Sequence, residues 1–204
     1  MPRMMQAMTV YHDGSRSWQD RFDTRRLADR LEERVVRSAI DADDRAFIEA
    51  RDMFFLATAD EHGAPQCSYK GGDPGFVRVL DERTVAFPCY DGNGMFLSMG
   101  NLLANPRVGL LFVDFERPSR LRLNGVASID AADPLVAEYE RAQFVVRVRA
   151  LQVFPNCPRY IHKLTLVERS RFVPREACEP PVPDWKRREW ARDVLQTGDP
   201  ARES

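Results

Sequence analysis

Residues 68–80 read SYKGGDPGFVRVL, residues 87–95 FPCYDGNGM, and residues 103–129 LANPRVGLLFVDFERPSRLRLNGVASI. In these stretches short apolar runs are separated by clusters of Gly, Pro, Asn and Asp, the pattern of β-hairpins. One helical segment interrupts them, introduced by the glycine-rich turn YDGNG. The layout predicts a small barrel in which a helix N-terminus and the polar residues of one strand face the same cleft. Exposed helix amides and polar strand residues suit a flat ligand that bears a phosphate.

Working outward, MFFLATA (53–59) is an apolar and aromatic strand, and DEHG (60–63) is a tight hairpin turn in which Gly63 takes a positive φ. APQCSYK (64–70) is the return strand. GFVRVL and TVAFP form a second hairpin across Asp81, Glu82 and Arg83. Asp91 or Asn93 is placed to cap a helix running to Ala104, with Met95, Met99, Leu102 and Leu103 as its buried stripe. Asn105-Pro106 ends it, because the residue before proline disfavours the helical region. RVGLLFVDF is apolar on both faces and reads as a central strand. RLRLNGVASI alternates, with Leu121, Leu123 and Ile129 on one face and Arg120, Arg122, Asn124 and Ser128 on the other. Asp133-Pro134 opens a short helix, and QFVVRVRALQVF (143–154) supplies another long strand.

Residues 1–22 carry little pattern and read as an N-terminal arm. Asp23-Thr24 then caps RRLADRLEERVVRSAI, where Leu27, Leu31, Val35 and Val36 recur at helical spacing. DDRAFIEA starts a second helix at Asp43 or Asp44 and buries Phe47 and Ile48. Residues 23–173 form the barrel domain with its leading helices. Residues 174–204 form a proline-rich loop and a short helix, PVPDWKRREWARDVL, expected to dock on the body. The architecture is mainly β, a barrel with peripheral helices and six to eight strands.

The 204 residues suffice for one domain with a sizeable core. Hydrophobic residues at 44% and charged residues at 30% describe an ordinary globular chain. A formal net charge of −1 gives no electrostatic reason for nucleic acid or an acidic membrane as partner. No apolar run approaches the roughly 18 residues of a membrane span. The first residues, MPRMMQAMTVYHDG, have no apolar core of the signal-peptide type, so a cytoplasmic location is expected. Cys67, Cys89, Cys157 and Cys178 lie far apart without a C-x-x-C pair, and read as free, buried or half-buried thiols.

A nucleotide phosphate needs backbone amides or fixed cations in a concavity. Ser68 and Lys70 stand two apart on one strand and share a face. Gly92-Asn93-Gly94 leads into the helix that carries Ser98, and glycine lets an anion approach amides closely. Each element alone also fits a solvated rim charge or a flexible turn; at two sides of one wall they point to a site. Arg120 and Arg122 fit either surface pairs with Asp114 and Glu116 or cations near a ligand, and Arg147 and Arg149 invite the same comparison. His12, His62 and His162 do not cluster at metal-ligand spacing, and no metal site is expected. Cys157-Pro158 fits a proline-punctuated turn with a packed thiol, or a weak haem signature. No catalytic triad or carboxylate pair assembles, so no catalytic residue is assigned and redox chemistry would come from a cofactor.

The segment from Met53 to Ile129, with LANPRVGLLF between YDGNGM and RLRLNG, resembles the core of the pyridoxamine 5'-phosphate oxidase-like split barrels, in particular their bacterial FMN-dependent branch. The helices before it and NCPRYI after it match loosely. The resemblance implies a six-stranded antiparallel split barrel of Greek-key type and a homodimer with FMN in clefts at the subunit interface. Carried over by position, it implies that Gln66, Cys67, Ser68, Tyr69 and Lys70 lie along the flavin and its phosphate. Asn93, Gly94, Met95 and Ser98 would surround the phosphate, and Arg122 would lie near the cofactor. In two places the chain departs from the family pattern. The basic pair that the oxidase carries at the helix start is replaced by Leu97-Ser98. Such groups contribute roughly 1.5–3 kcal/mol each as charge-assisted bonds, so Lys70 or an arginine from elsewhere would have to compensate. The oxidase's C-terminal arginine and histidine pair is not recognisable, which makes pyridoxamine phosphate a poor substrate. The expected function is FMN-dependent oxidoreduction of a small molecule, with a nicotinamide as a possible electron donor. The alternatives are a non-catalytic carrier or sensor of haem or flavin on the same barrel, and a barrel that has lost its ligand.

Overall fold

The computed structural model describes residues 9–176 and 178–202. The first eight residues of the expected arm, Ala177 and the last two residues of the tail lie outside them. The chain forms two compact units, Met1–Thr165 and Leu166–Ser204.

In the first unit, α1 (Asp13–Arg21), α2 (Arg25–Val35) and α3 (Ala42–Glu49) precede the strands. They are followed by β1 (Met53–Ala59), β2 (Pro65–Gly71), β3 (Arg78–Asp81), β4 (Thr84–Cys89), α4 (Leu97–Ala104), β5 (Arg107–Asp114), β6 (Ser119–Asp130) and β7 (Phe144–Asn156). All seven strands belong to one sheet in the order β2-β1-β5-β6-β7-β4-β3, every pairing antiparallel. The count is seven rather than six. β1 and β4 stand far apart in that order, yet the rings of Phe54 and Phe87 meet edge-on at 5.0 Å. The sheet is therefore rolled so that its inner face closes on itself, as a split barrel.

The core follows from the alternation. Phe54 and Leu56 of β1, Leu110 and Phe112 of β5, Leu121 and Leu123 of β6, and Val146 and Val148 of β7 bury one face of each strand. Phe54 is the hub, touching Phe76, Phe87 and Phe112 with centroids within 5.9 Å. β5 sits between β1 and β6, as expected of a strand apolar on both faces. β6 and β7 shift register between Asn124 and Gly125, where β7 carries one extra residue. The edge strand β3 is covered by α3. Glu49 accepts from the Val79 amide at 3.0 Å, and Arg45 donates to the Val79 carbonyl. An edge satisfied in this way is not available for pairing.

The hairpin turn forms as predicted, with Gly63 at φ +84°. α3 starts at Ala42, one or two residues before the expected point, because Asp41 and Asp44 form a reciprocal capping box. Ile48 is fully buried and Phe47 partly so. The expected stripe of α2 is corrected. Leu27 and Leu31 are 59% and 46% exposed, and the helix instead buries Ala28. Residues 9–11 hold that side by polar bonds, Val10 donating to Glu32 at 2.7 Å and Tyr11 to the Ala28 carbonyl at 3.2 Å. Thr24 precedes the helix without capping it through its side chain. α1, capped by the His12 side chain, occupies part of the stretch that reads as patternless.

In the second unit, a 3-10 turn at Asp184–Arg187 and the short helix α5 (Glu189–Arg192) surround a buried ion pair, Lys186 to Asp199 at 2.7 Å. Trp185 and Trp190 stack at 6.2 Å. No helix among the described residues is long and apolar enough to cross a membrane.

Candidate functional site

Register decides which β2 side chains share a face. Gln66, Ser68 and Lys70 pair with Thr58, Leu56 and Phe54, the inward residues of β1. They therefore point to the concave side of an edge strand, where α4 lies across them. Cys67 and Tyr69 pair with Ala57 and Phe55 and point the other way; the Tyr69 ring packs edge-on against Phe55 at 6.2 Å.

α4 is fastened to this wall by polar residues at i, i+3 and i+7. Ser98 and Ser68 share a hydrogen bond of 2.7 Å between their hydroxyls. Asn101 donates to Thr58 Oγ1 at 3.0 Å, and Asn105 donates to the Asp60 carbonyl at 3.4 Å. Ser98 and Thr58 are buried, so both hydroxyls need these partners. Met99 and Leu102 fill the core beneath, while Met95 and Leu103, also assigned to the buried stripe, are 61% and 81% exposed. The helix begins after them or turns them outward.

The start of α4 differs from the expected cap. Asn93 accepts from the Met95 amide at 3.1 Å, an Asx turn upstream of the helix. Gly94 takes φ +75°, and Phe96 follows in the left-handed region at φ +48°. No side chain caps α4. Its first amides thus have no side-chain partner, and a phenylalanine is held in a conformation that costs about 1–2 kcal/mol. Strain of this kind accumulates where a chain must present a site.

The resulting cavity, of about 330 Å3, is lined by β2, the end of β4, the 92–96 turn and the head of α4. Of the residues expected at a ligand, Gln66, Ser68, Tyr69, Lys70, Asn93, Gly94, Met95 and Ser98 are brought to it. Cys67 and Tyr69 both lie on the opposite face of β2, and of the two Tyr69 alone borders the cavity; Arg122 is exposed on β6, paired with Leu111 and Phe154 and outside the lining. Cys89, Tyr90, Phe96, Leu97 and Met99 join the wall without having been singled out as ligand contacts. Their signal was adjacency to the YDGNG turn.

Burial pushes the Cys89 thiol above its usual range, with Lys70 pulling it back in part. Burial likewise raises Tyr90, with Asp73 adding to the rise. Both stay protonated near neutrality, so the wall offers hydrogen-bond donors and no ready base or nucleophile. The donor set fits a phosphate. It comprises the Lys70 ammonium, the uncapped amino end of α4, and a hydroxyl pair in which one proton remains free to donate outward.

Other sequence candidates lie elsewhere. Asp114 pairs with Arg51 at 2.8 Å, not with Arg120 or Arg122, and accepts the amides of Glu116 and Arg117. Arg147 grips buried Asp133 with two bonds, the longer 2.9 Å. The four cysteines are free; Cys89 is half-buried, but Cys67, Cys157 and Cys178 are exposed, which corrects the expectation of packed thiols. Cys157 accepts from Arg159 Nε at 3.1 Å, and the Arg159 amide and guanidinium hold the thiol below its usual range. His62 is exposed in its turn. Among the described residues no group of three or more His, Cys, Asp or Glu is placed to hold a metal.

The family model for pyridoxamine 5'-phosphate oxidase matches residues 40–168, and the chain belongs to that family. No curated protein matches it. Among solved structures it is similar to HupZ of Group A Streptococcus, at 20% identity over 57% of this chain and 93% of the other, with a TM-score of 0.46. It is also similar to a FAD-binding protein of Mesorhizobium loti (15%, 59% and 95%, 0.43) and to HutZ, the haem storage protein of Vibrio cholerae (18%, 54% and 89%, 0.41).

Proposed function

We propose that this member of the pyridoxamine 5'-phosphate oxidase family holds a flavin nucleotide, FMN as the reference ligand, in the cleft between β2 and α4. In this reading it works as a homodimeric flavin-dependent oxidoreductase on a small molecule, with a nicotinamide as possible electron donor. One observation carries the proposal: Ser68, Lys70, Ser98 and the uncapped start of α4 converge on a single cavity.

When bound, the isoalloxazine supplies the hydride and electron chemistry. The chain's own residues bind and orient. Lys70 would hold the phosphate with its ammonium, and the α4 amides would add donors to it. The Ser68–Ser98 pair donates one proton outward while its internal bond fixes the spacing between strand and helix. Met99, buried beneath the wall, lines the inner side of the cleft. A volume of about 330 Å3 is at the small end of the ~300–1,000 Å3 typical of ligand clefts. It takes the phosphate end of the ligand and leaves the rest open, which is consistent with a second subunit completing the site.

Titration of the purified protein with FMN tests the reading. Saturable quenching of flavin fluorescence is expected, followed by oxidation of a nicotinamide in air by the loaded protein. Binding without any turnover, whatever the donor, would leave a flavin carrier. Failure of FMN to bind any better than riboflavin would remove the phosphate site.

A further inference from the structure

Two exposed segments share one spacing with their charges reversed. Residues 26–31 of α2 read RLADRL, and residues 189–194, which are α5 and the two positions after it, read EWARDV. Arg26 corresponds to Glu189, Asp29 to Arg192 and Arg30 to Asp193, while Leu27 matches Trp190 and Leu31 matches Val194. The alanines at the third place, Ala28 and Ala191, are 7% and 1% exposed and are the side chains that each helix buries. The apolar pairs face outward, Leu27 and Leu31 at 59% and 46%, Trp190 and Val194 at 67% and 74% exposed.

Each apolar pair is spaced i, i+4 and forms one short ridge, with a charge one place before each member. These flanking charges are open. Among the described residues Arg26, Glu189 and Asp193 make no ion pair, and Arg30 meets only Glu33, at 3.5 Å on the surface. In an antiparallel pair of helices the same flank of each meets. The Arg26 and Arg30 flank of α2 laid on the Glu189 and Asp193 flank of α5 is then attractive throughout, with Leu27 over Val194 and Leu31 over Trp190. Two copies of α2 packed on their own leucines would set Arg30 beside Arg30, and two copies of α5 would set acid beside acid. Charge thus selects α5 as the occupant of the α2 face. Trp190 is a prepared anchor for it, stacked on Trp185 at 6.2 Å.

We infer that the outward face of α2 docks against α5 of a second copy of this chain, and α5 of the first copy against α2 of the second. One such contact, four apolar side chains with their flanking charges, is small beside the ~1,200–2,000 Å2 of a stable interface. A two-fold arrangement makes it twice and closes on itself. Both segments lie outside residues 40–168, the span of the family match, so the contact is separate from any that the barrel makes. It does not depend on the ligand of the cleft.

Sedimentation of the full chain and of two charge-reversed variants tests the contact. The first variant, Arg26→Glu with Arg30→Glu, makes the flanks of α2 and α5 both acidic. The second, Glu189→Arg with Asp193→Arg, makes both basic. All four side chains are exposed, so each variant should keep the circular dichroism of the unmodified chain. Each variant alone is expected to self-associate about tenfold or more weakly than the unmodified chain. An equimolar mixture of the two recovers the association, because each α2 then meets an α5 of opposite sign on another copy. Arg83→Glu with Arg117→Glu, exposed in turns elsewhere, carries the same change in charge as the first variant and should leave association unchanged. Variants that associate as tightly as the unmodified chain, or that weaken without recovery in the mixture, overturn the inference. A chain that is monomeric in every form overturns it too, and leaves the α2 face to a different partner.

Discussion

In Met1–Thr165 the inner faces of seven strands bury Phe54, Phe87 and Phe112 almost completely. Among the described residues of Leu166–Ser204 the buried side chains are Ala191, Ala201 and an ion pair, Lys186 with Asp199, each under 10% exposed. The barrel brings together residues far apart in sequence, and apolar area removed from water grows with every strand added. The 39-residue tail unit has too few large apolar side chains for that. Its order depends on a contact that is favourable only while both charges are present. A buried pair adds little net stability over an apolar substitute, yet losing one partner is expensive because the other charge stays buried alone. The two regions should therefore fail in different ways.

The largest expected effect is on the barrel. Phe54→Ala removes the ring shared by three aromatic contacts and should cost about 3–5 kcal/mol, read as a fall in the denaturant midpoint of the whole unit. A loss below ~1 kcal/mol would mean that the rolled sheet is held by something other than this cluster. Lys186→Met should cost the tail about 3 kcal/mol or more, seen as rapid hydrogen exchange over 184–202 with β1, β5 and β6 unaffected. The double variant Lys186→Met with Asp199→Leu should recover most of it. If the double variant is as damaged as the single, the ion pair is not what distinguishes the regions.

Acid sharpens the same contrast. Burial pushes the Asp199 carboxyl up, but the Lys186 hydrogen bond and the Ala201 amide outweigh it and leave the pKa lowered. A folded pKa below the unfolded value, about 3.9, contributes stability that is present above about pH 4 and lost as pH falls through the folded value. The stacked Trp185–Trp190 pair should report that loss in tryptophan fluorescence below about pH 4. Asp133, held low by the Arg147 hydrogen bonds, adds the same dependence to the barrel, where it is diluted by the apolar core. A tail signal that changes only together with barrel unfolding would erase the distinction.

Smaller effects are expected within the cleft wall. Lys70→Ala should weaken FMN about 10- to 100-fold with unchanged thermal stability, since a half-buried rim cation contributes binding and not folding. Asn101→Ala leaves the buried Thr58 hydroxyl without its donor and should cost about 1–2 kcal/mol. Because it loosens α4, it should also weaken FMN, though less than Lys70→Ala. An Asn101→Ala variant that folds less stably but binds FMN normally would show that the polar ties of α4 serve the barrel alone.

The strands were legible because period-two alternation and turn residues are local signals, as in MFFLATA-DEHG-APQCSYK. Eight of the ten expected ligand residues line one cavity for a related reason: Ser68 and Lys70 share a strand face by spacing alone, and the turn and helix follow them in the chain. Cys67 falls on the other face by that same alternation. Arg122 would need a distance across strands that alternation does not carry. The helices were harder. The apolar periodicity of α2 is real, but periodicity states that a face exists and not what covers it; Leu27 and Leu31 are exposed. The cap of α4 was misplaced because Asn93 satisfies a turn amide just as readily as a helix amide, and only the positive φ at Gly94 and Phe96 moved the start to Leu97.

The chain by itself determined the hairpins, the mainly β architecture, the helix between β4 and β5, and the polar face of β2. Each of these depends on residues within one or two turns of one another. Tertiary structure alone decided the seven-strand order, the roll that brings Phe54 onto Phe87, and the bond from Ser68 to Ser98 that makes a strand and a helix into one wall. The last two join residues 30 or more positions apart, and their stability comes from surface and hydroxyls buried together, which no local pattern records.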